Sequence, residues 1–339
     1  MARIGEAALL ELAARALRGR RVSPEHAEAA ARILVTGDLL GVHTHGVERV
    51  SSYADRVASG GINAGARITV ERVAPALARV DGNNGIGPAV GMRALREAMA
   101  IARDQGVGVA LARNSNHFGA VAPYSLIGAE AGFASVIGSN ASTTIAPTGG
   151  REARVGNSPI AFCVPHPGAR PFLLDMALSV VARAKIRAAA RHGSAIPDTW
   201  ATDRDGKATT DPKAALDGFL LPIGAHKGFG LALAVDLFAG LLSDAAYLTH
   251  ARSWQEQPDE PSGLGHFFIL IDAKRLGGEA WLAGRMTDFA RILHDTPPAD
   301  PSQPVRVPGE IELGNLERQR REGIEIEDAV LEKLRALAR

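Results

Sequence analysis

Apolar residues recur at intervals of three and four across residues 5–19 and again across 24–39, with charged residues between them, which predicts two amphipathic helices. Ser23 followed by Pro24 supplies a cap and a first-turn proline, so the second helix starts there. Beyond the polar stretch HTHGVERVSSY (43–53), the pattern in ARITVERVAPALARVDG changes to alternation on both sides of Ala74-Pro75, the signature of a short hairpin. GPAVGMRALREAMAIARDQG returns to helical spacing. Strand, loop, helix, strand and loop follow, with RNSNHFG and SNASTTIAPTGG each placed after a strand end, where small-molecule sites often lie. Two short strands flank His166-Pro167-Gly168, and a helix is predicted from about Ala177 to Arg191. Residues 192–218 are polar and turn-rich and predict a long surface loop. GAHKGFGLALAVDLFAGLLS reads as a glycine-rich loop opening into a buried helix. The strand GHFFILID, a helix over 279–293, a proline-rich connection and a charged final helix complete the chain.

With 339 residues, 46% hydrophobic and 22% charged, the chain is long enough for two domains with a sizeable core. Thirty-eight basic against thirty-seven acidic residues leave a formal charge of +1, without the concentrated basic field that nucleic acid or anionic membrane requires. The expected partner is a small molecule. Cys163 is the only cysteine, so no intrachain disulfide forms and a reducing compartment is expected. No apolar run reaches the roughly 20 residues that cross a bilayer, and MARIGEAALLELAARALRGR lacks the apolar core of a signal peptide. The cytoplasm is the expected location.

Thirty-seven glycines raise the prospect of a dinucleotide site, yet no G-x-G-x-x-G lies between a strand and a helix. GVGVAL has Leu111 where a third glycine belongs, and GIGPAVG spaces Gly85, Gly87 and Gly91 wrongly. A phosphate loop is missing as well, so any dinucleotide is held another way. Lys227 in GAHKGFG, flanked by glycines ahead of a helix, suits an anionic phosphate, although an exposed lysine at a helix entry would look the same.

If the chain turns helical near Gly46, then His45, Arg49 and Tyr53 stand at i, i+4 and i+8 on one face. Arginine grips a carboxylate with two parallel hydrogen bonds, a histidine with an unperturbed pKa near ~6.5 passes a proton at neutral pH, and a tyrosine hydroxyl orients either. Two other readings of the stretch stay open. One is a partly buried histidine beside an exposed Glu48-Arg49 surface. The other is a metal site built from His43, His45 and His117, which would suit a lyase or hydrolase but has no H-E-x-x-H or cysteine pair to support it.

HTHGVERVSSY, RNSNHFG, GNSPIAF, LLDMALSVVARAKI and GAHKGFGLAL occur in this order and together resemble the malate/L-lactate dehydrogenase family, which is distinct from the Rossmann-fold lactate and malate dehydrogenases. The likeness runs from about residue 5 to 320. It implies an α/β (α+β) fold of non-Rossmann type, with a cofactor domain around a largely antiparallel sheet (71–311) and a helical domain formed by both chain ends (1–70 and 312–339). It also implies a homodimer using NAD or NADP, with hydride passing between the nicotinamide and the carbon next to a carboxylate. The expected substrate is a small 2-hydroxy or 2-keto acid, malate-, lactate-, sulfolactate- or ureidoglycolate-like, with cyclic imino acid or diketo acid reduction as the alternative.

By motif, the resemblance makes His45 the acid/base and Arg49 the carboxylate clamp, with Thr44 at a place usually held by serine; Tyr53, from its spacing with His45 and Arg49, is counted with them as catalytic. His117 lines the nicotinamide and substrate and competes with His45 for the proton-transfer role. Phe118, Gly119, Asp175, Met176, Ala177, His226, Lys227, Pro308, Gly309 and Glu310 fall at cofactor positions, and Asn157, Leu178 and Ser179 at the substrate beside Arg49. No resident metal is implied. Lys185 stands where the cyclic imino acid reductases carry an aspartate.

Overall fold

The computed structural model describes residues 2–339. The chain opens with a short strand, β1 (Ala2–Ile4), and two helices, α1 (Glu6–Arg18) and α2 (Pro24–Leu39). Ser23 Oγ accepts the backbone N–H of His26 at 3.3 Å, and Pro24 sits at a position whose N–H would have no partner in the helix. α3 (Arg49–Ser59), the hairpin β2 (Thr69–Ala74) and β3 (Leu77–Asp81), α4 (Gly87–Gln105), β4 (Val107–Ser115), α5 (Ala122–Glu130) and β5 (Phe133–Ser139) follow. A short pair, β6 (Thr143–Ile145) and β7 (Val155–Gly156), leads to β8 (Ile160–Val164) and β9 (Phe172–Met176). The second half holds α6 (Arg183–His192), α7 (Pro212–Asp217), α8 (His226–Asp236), β10 (Leu264–Asp272), α9 (Gly278–His294), α10 (Glu310–Glu322), β11 (Ile324–Ile326) and α11 (Asp328–Leu337).

Seven strands form the main sheet in the order β2-β3-β4-β10-β5-β8-β9, antiparallel throughout except for β3 beside β4. β10 lies at its centre, and successive side chains point to opposite faces: Phe268 joins the core under the terminal helices, while Phe267 joins a second core with Ile145, Leu178, Ile186 and Val235. The first core is continuous from Leu9 of α1 through Ala110 and Ala112 of β4 to Leu331 and Leu334 of α11. Both chain ends are therefore welded to one sheet face, and β1 pairs with β11 to close them together. Among the described residues no helix is long and apolar enough to cross a membrane.

Several sequence expectations need correction. The helix expected from about Ala177 begins only at Arg183, because residues just past β9 stay extended: Leu178 N–H donates to Asn157 O at 2.8 Å and the Leu178 side chain is buried in the second core. Residues 192–218 contain the short helix α7 rather than loop alone. The charged final helix is two helices, since Gly323 at φ 89° ends α10 and the chain pairs as β11 before α11. The apolar run after GAHKG is buried on one side only; Leu237, Phe238, Leu241 and Leu242 are exposed.

Candidate active site

His43–His45 form a single tight turn after α2, and Gly46 leaves it in an extended conformation, so the continuous helical face expected through His45, Arg49 and Tyr53 does not exist. α3 starts at Arg49. The residues still converge, because the buried Asp38 holds the turn from below: its Oδ2 accepts the Val47 N–H at 2.7 Å and its Oδ1 meets His43 Nδ1 at 2.9 Å. A β-carbon at Gly46 would lie 2.1 Å from the Asp38 carboxylate, so only glycine fits. Gln319 of α10 donates to the carbonyls of Asp38 at 2.8 Å and Leu39 at 3.0 Å, which ties the C-terminal helices to the same corner. Burial pushes the Asp38 carboxyl up, while His43 and the Val47 N–H oppose that shift; in return Asp38 raises His43. His43 is thereby turned away from the metal triad considered above, and among the described residues no group of three His, Cys, Asp or Glu side chains is placed to hold a metal ion.

Five side chains gather at this turn. Arg49 Nε donates to the Thr44 carbonyl at 2.6 Å, leaving the outer edge of the guanidinium for a ligand, and Thr44 Oγ1 lies 2.9 Å from His45 Nδ1. One turn along α3, the buried Tyr53 hydroxyl meets His117 Nδ1 at 2.7 Å. The His45 and His117 rings are 5.4 Å apart. Burial first, and Arg49 second, press His45 down to about 4; burial, then His45 and Arg49, hold His117 well below its ordinary range; burial drives Tyr53 far upward. Tyr53 thus keeps its proton and donates it to a neutral His117, which leaves His117 with an Nε2–H donor.

Sequence reasoning missed three residues here. Trp254 stacks on His117 at 5.4 Å and lies 5.6 Å beneath the Arg49 guanidinium, closing the site from a loop two hundred residues away. Arg56 is buried and donates to Asn116 Oδ1 at 2.8 Å, Gly61 O at 2.9 Å, Glu260 O at 2.6 Å and Pro258 O at 3.2 Å. Asn116 in turn donates to Asn84 Oδ1 and Gly85 O, both at 2.9 Å. A helical repeat was available for Arg56, which follows Arg49 and Tyr53 at i+7 and i+3. Trp254 gave only a lone aromatic in a polar loop.

A cavity of about 180 Å³ opens beside His45, lined by Gly119, Pro159, Leu173, Asp175, Met176 and Ala177 among others. Asp175 Oδ2 accepts the N–H groups of Val121 at 3.0 Å and Ala122 at 2.7 Å, anchoring the start of α5, and burial raises its carboxyl to about 6 against those two bonds. Pro308–Glu310 dock behind this wall: the Leu173 N–H donates to Pro308 O at 3.2 Å, and a β-carbon on Gly309 (φ 98°) would meet Leu173 at 2.8 Å. Glu310 itself pairs with His294 and accepts the Val307 N–H.

Other expected site residues stand elsewhere. Phe118 is buried, stacked between Tyr124 at 4.9 Å and His266 at 4.1 Å. Leu178 is in the second core, and the Ser179 hydroxyl donates to Val181 O at 2.8 Å. Asn157 meets this segment through its backbone carbonyl. His226 lines a separate cavity with Ala146–Arg151, and Lys227 is exposed at the start of α8.

The profile described as malate/L-lactate dehydrogenase matches residues 4–335. The chain is 35% identical to a malate dehydrogenase of Pyrococcus horikoshii, covering 99% of this chain and 95% of the relative. It is 35% identical to a (2R)-3-sulfolactate dehydrogenase (NADP(+)) of Chromohalobacter salexigens over 96% of this chain and 95% of that one. The solved structure of delta1-piperideine-2-carboxylate reductase from Pseudomonas syringae superposes with a TM-score of 0.90 at 32% identity, covering 99% of this chain and 100% of the other.

Proposed function

Because the chain belongs to the malate/L-lactate dehydrogenase family and is a nicotinamide-dependent dehydrogenase, we propose that it interconverts a small 2-hydroxy acid and its 2-keto acid at the cleft formed by His45, Thr44, Arg49, Tyr53 and His117. The observation that carries this reading is the pairing of a carboxylate-binding guanidinium with two neutral histidines, one fixed by Tyr53 as a donor and one left able to accept. NAD or NADP suits the cavity beside His45, where glycine and alanine leave room for a flat ring and Asp175 supplies a polar wall. Gly119, Asp175, Met176 and Ala177 hold that end, with Pro308–Glu310 bracing β9, and His226 and Lys227 are assigned to the phosphate-bearing end. When bound, the nicotinamide accepts or supplies the hydride.

In oxidation, the substrate carboxylate pairs with Arg49. That neutralises the cation which depresses His45, so the base strengthens as the substrate arrives. If Thr44 Oγ1 accepts from His45 Nδ1–H, Nε2 carries the lone pair, and the hydroxyl proton passes to it while hydride leaves the same carbon. His117 Nε2–H donates to the developing alkoxide. In reduction the proton returns from His45 to the ketone oxygen. Residues 1–70 and 312–339 supply the acid/base corner, 71–311 hold the cofactor, and the enzyme works as a homodimer in the cytoplasm, where its single buried thiol stays reduced. The test is reduction of a 2-keto acid panel with NADH and NADPH, followed at the nicotinamide absorbance. His45→Gln should lose about 10²- to 10⁴-fold in kcat with cofactor affinity retained; an active variant would remove His45 from the proton-transfer role.

A further inference from the structure

From Leu264 to Ile271 the central strand β10 has one polar side chain, His266, which is fully buried and by alternation points to the same sheet face as Phe268. A buried imidazole costs more desolvation than an apolar ring unless both nitrogens find partners. Both do: Nδ1 lies 2.8 Å from Ser139 Oγ on β5, and Nε2 lies 2.7 Å from Ser115 Oγ on β4. Ser139 donates its one hydroxyl proton to the Asn140 carbonyl at 2.9 Å, so it accepts from Nδ1–H. Nε2 is then the acceptor, and Ser115 donates to it. The imidazole also lies flat on Phe118, with ring centres 4.1 Å apart and 4° between the planes. On its other face Phe118 is backed by Tyr124, whose hydroxyl donates to the Phe118 carbonyl at 2.6 Å.

Ser115 and Phe118 stand on either side of Asn116 and His117. The ladder between β10 and β4 is irregular just before them: His266 pairs with Ala112 but Leu264 with Ser115, so β4 carries an extra residue there, and Asn114 takes φ 48°. Such a bulge re-aims the strand end that follows it, here the end that delivers His117. We propose that His266 is a positioning residue for the reaction: by holding Ser115 through Nε2 and Phe118 through its ring face, it sets where His117 stands against Tyr53 and the substrate oxygen. The proposal rests on the reading of His117 as the donor to that oxygen.

The experiment uses His266→Phe, which keeps a flat ring against Phe118 but removes both hydrogen bonds, and Ser115→Ala, which removes one hydroxyl. Oxaloacetate and pyruvate with NADH or NADPH are the probes. At saturating cofactor kcat should fall by about 10- to 100-fold in His266→Phe, the scale of a misplacement of about 1 Å in a reacting group. His266→Gln, whose amide oxygen meets Ser115, should recover part of the loss. In a His117→Gln background the His266→Phe change should cost no further turnover, because the group it positions is gone. A merely structural role would lower the urea midpoint and leave this coupling at zero. Trp254 stacks on His117, so its emission in a Trp200→Phe, Trp281→Phe background reads the position of the imidazole without substrate, and it should shift in His266→Phe and Ser115→Ala. Should His266→Phe fail to fold, Ser115→Ala carries every arm with a smaller loss expected. Unchanged kcat in the folded variants, an equal loss with and without His117, or unchanged Trp254 emission overturns the proposal. Those outcomes leave the donor reading of His117 intact, whereas full turnover in His117→Gln alone would sink that reading and the proposal with it.

Discussion

The Tyr53 hydroxyl lies 2.7 Å from Nδ1 of His117, and this contact separates the roles of two histidines whose rings face each other at 5.4 Å. Tyr53 is buried and holds its proton, so His117 is confined to the tautomer that donates through Nε2. His45 has only the small Thr44 hydroxyl on Nδ1 and can exchange a proton through its other nitrogen.

Tyr53→Phe removes that restraint while preserving the ring packing. His117 should then sample both tautomers, and kcat should fall by roughly 10-fold, the loss of about 1 to 1.5 kcal/mol of one buried hydrogen bond, with little change in cofactor affinity. Steady-state kinetics and cofactor titration check this. Full activity in the variant would show that the tautomer of His117 does not matter to turnover.

Arg49 should set the acid limb of the pH profile. In the free enzyme His45 is pressed to about 4, so the neutral base needed for oxidation persists well into the acid range, and kcat/KM should decline only as pH approaches that value. Removing the cation lifts one of the two causes of depression. Arg49→Met should therefore move the limb to higher pH, besides lowering the rate at every pH. A limb that stays in place, or moves to lower pH, would dissociate the two residues.

Stability should follow the buried histidines. His266 is fully buried, bonded at both ring nitrogens to Ser139 and Ser115 at 2.8 and 2.7 Å, and burial lowers it to about 3. A folded pKa below the unfolded value means that protonation favours the unfolded chain. The contribution is therefore whole above about pH 6.5 and is lost progressively as pH falls towards 3. His45 and His117 act with the same sign. His266→Gln should flatten the decline in urea midpoint over that window, whatever it does to stability at neutral pH; an unchanged slope would place the acid sensitivity elsewhere.

Much of this architecture could be read from local pattern, because each strand of the main sheet and most helices carry their own: the short apolar run GHFFILID became the central strand, and Ser23-Pro24 opened α2 where a cap demands. What failed depended on contacts distant in sequence. Leu178 stayed extended because Asn157 and the second core claimed it, and α10 stopped because β11 has a partner in β1 at the other end of the chain. The acid/base residues were legible by motif, yet their mutual geometry was not, since Asp38 bends the turn between His45 and Arg49 instead of letting one helix carry both. Trp254 reaches the site by stacking on His117, and the Glu260 segment is tied to α3 through Arg56, connections no local pattern contains.

Arg56 supplies the last expectation. Its guanidinium joins three separate pieces of the site: α3, which carries Arg49 and Tyr53; the loop of Asn116, adjacent to His117; and the segment of Pro258 and Glu260, which leads back to Trp254. Arg56→Lys keeps a positive charge but offers a compact ammonium with three donors in place of a planar fork, so buried acceptors are left unmet. Stability should drop by about 2 to 4 kcal/mol, as expected when one or two such groups lose their partner. A merely structural role would end there. If Arg56 also positions the site, the released loop should expose Trp254, and KM for the keto acid should rise more than kcat falls, because Arg49 and His117 lose the indole between them while the histidine pair remains. Acrylamide quenching in a Trp200→Phe, Trp281→Phe background reads the first effect, and steady-state kinetics at saturating cofactor read the second. Unchanged quenching and unchanged KM in a destabilised variant would reduce Arg56 to a packing residue and leave Trp254 held by its own stacking alone.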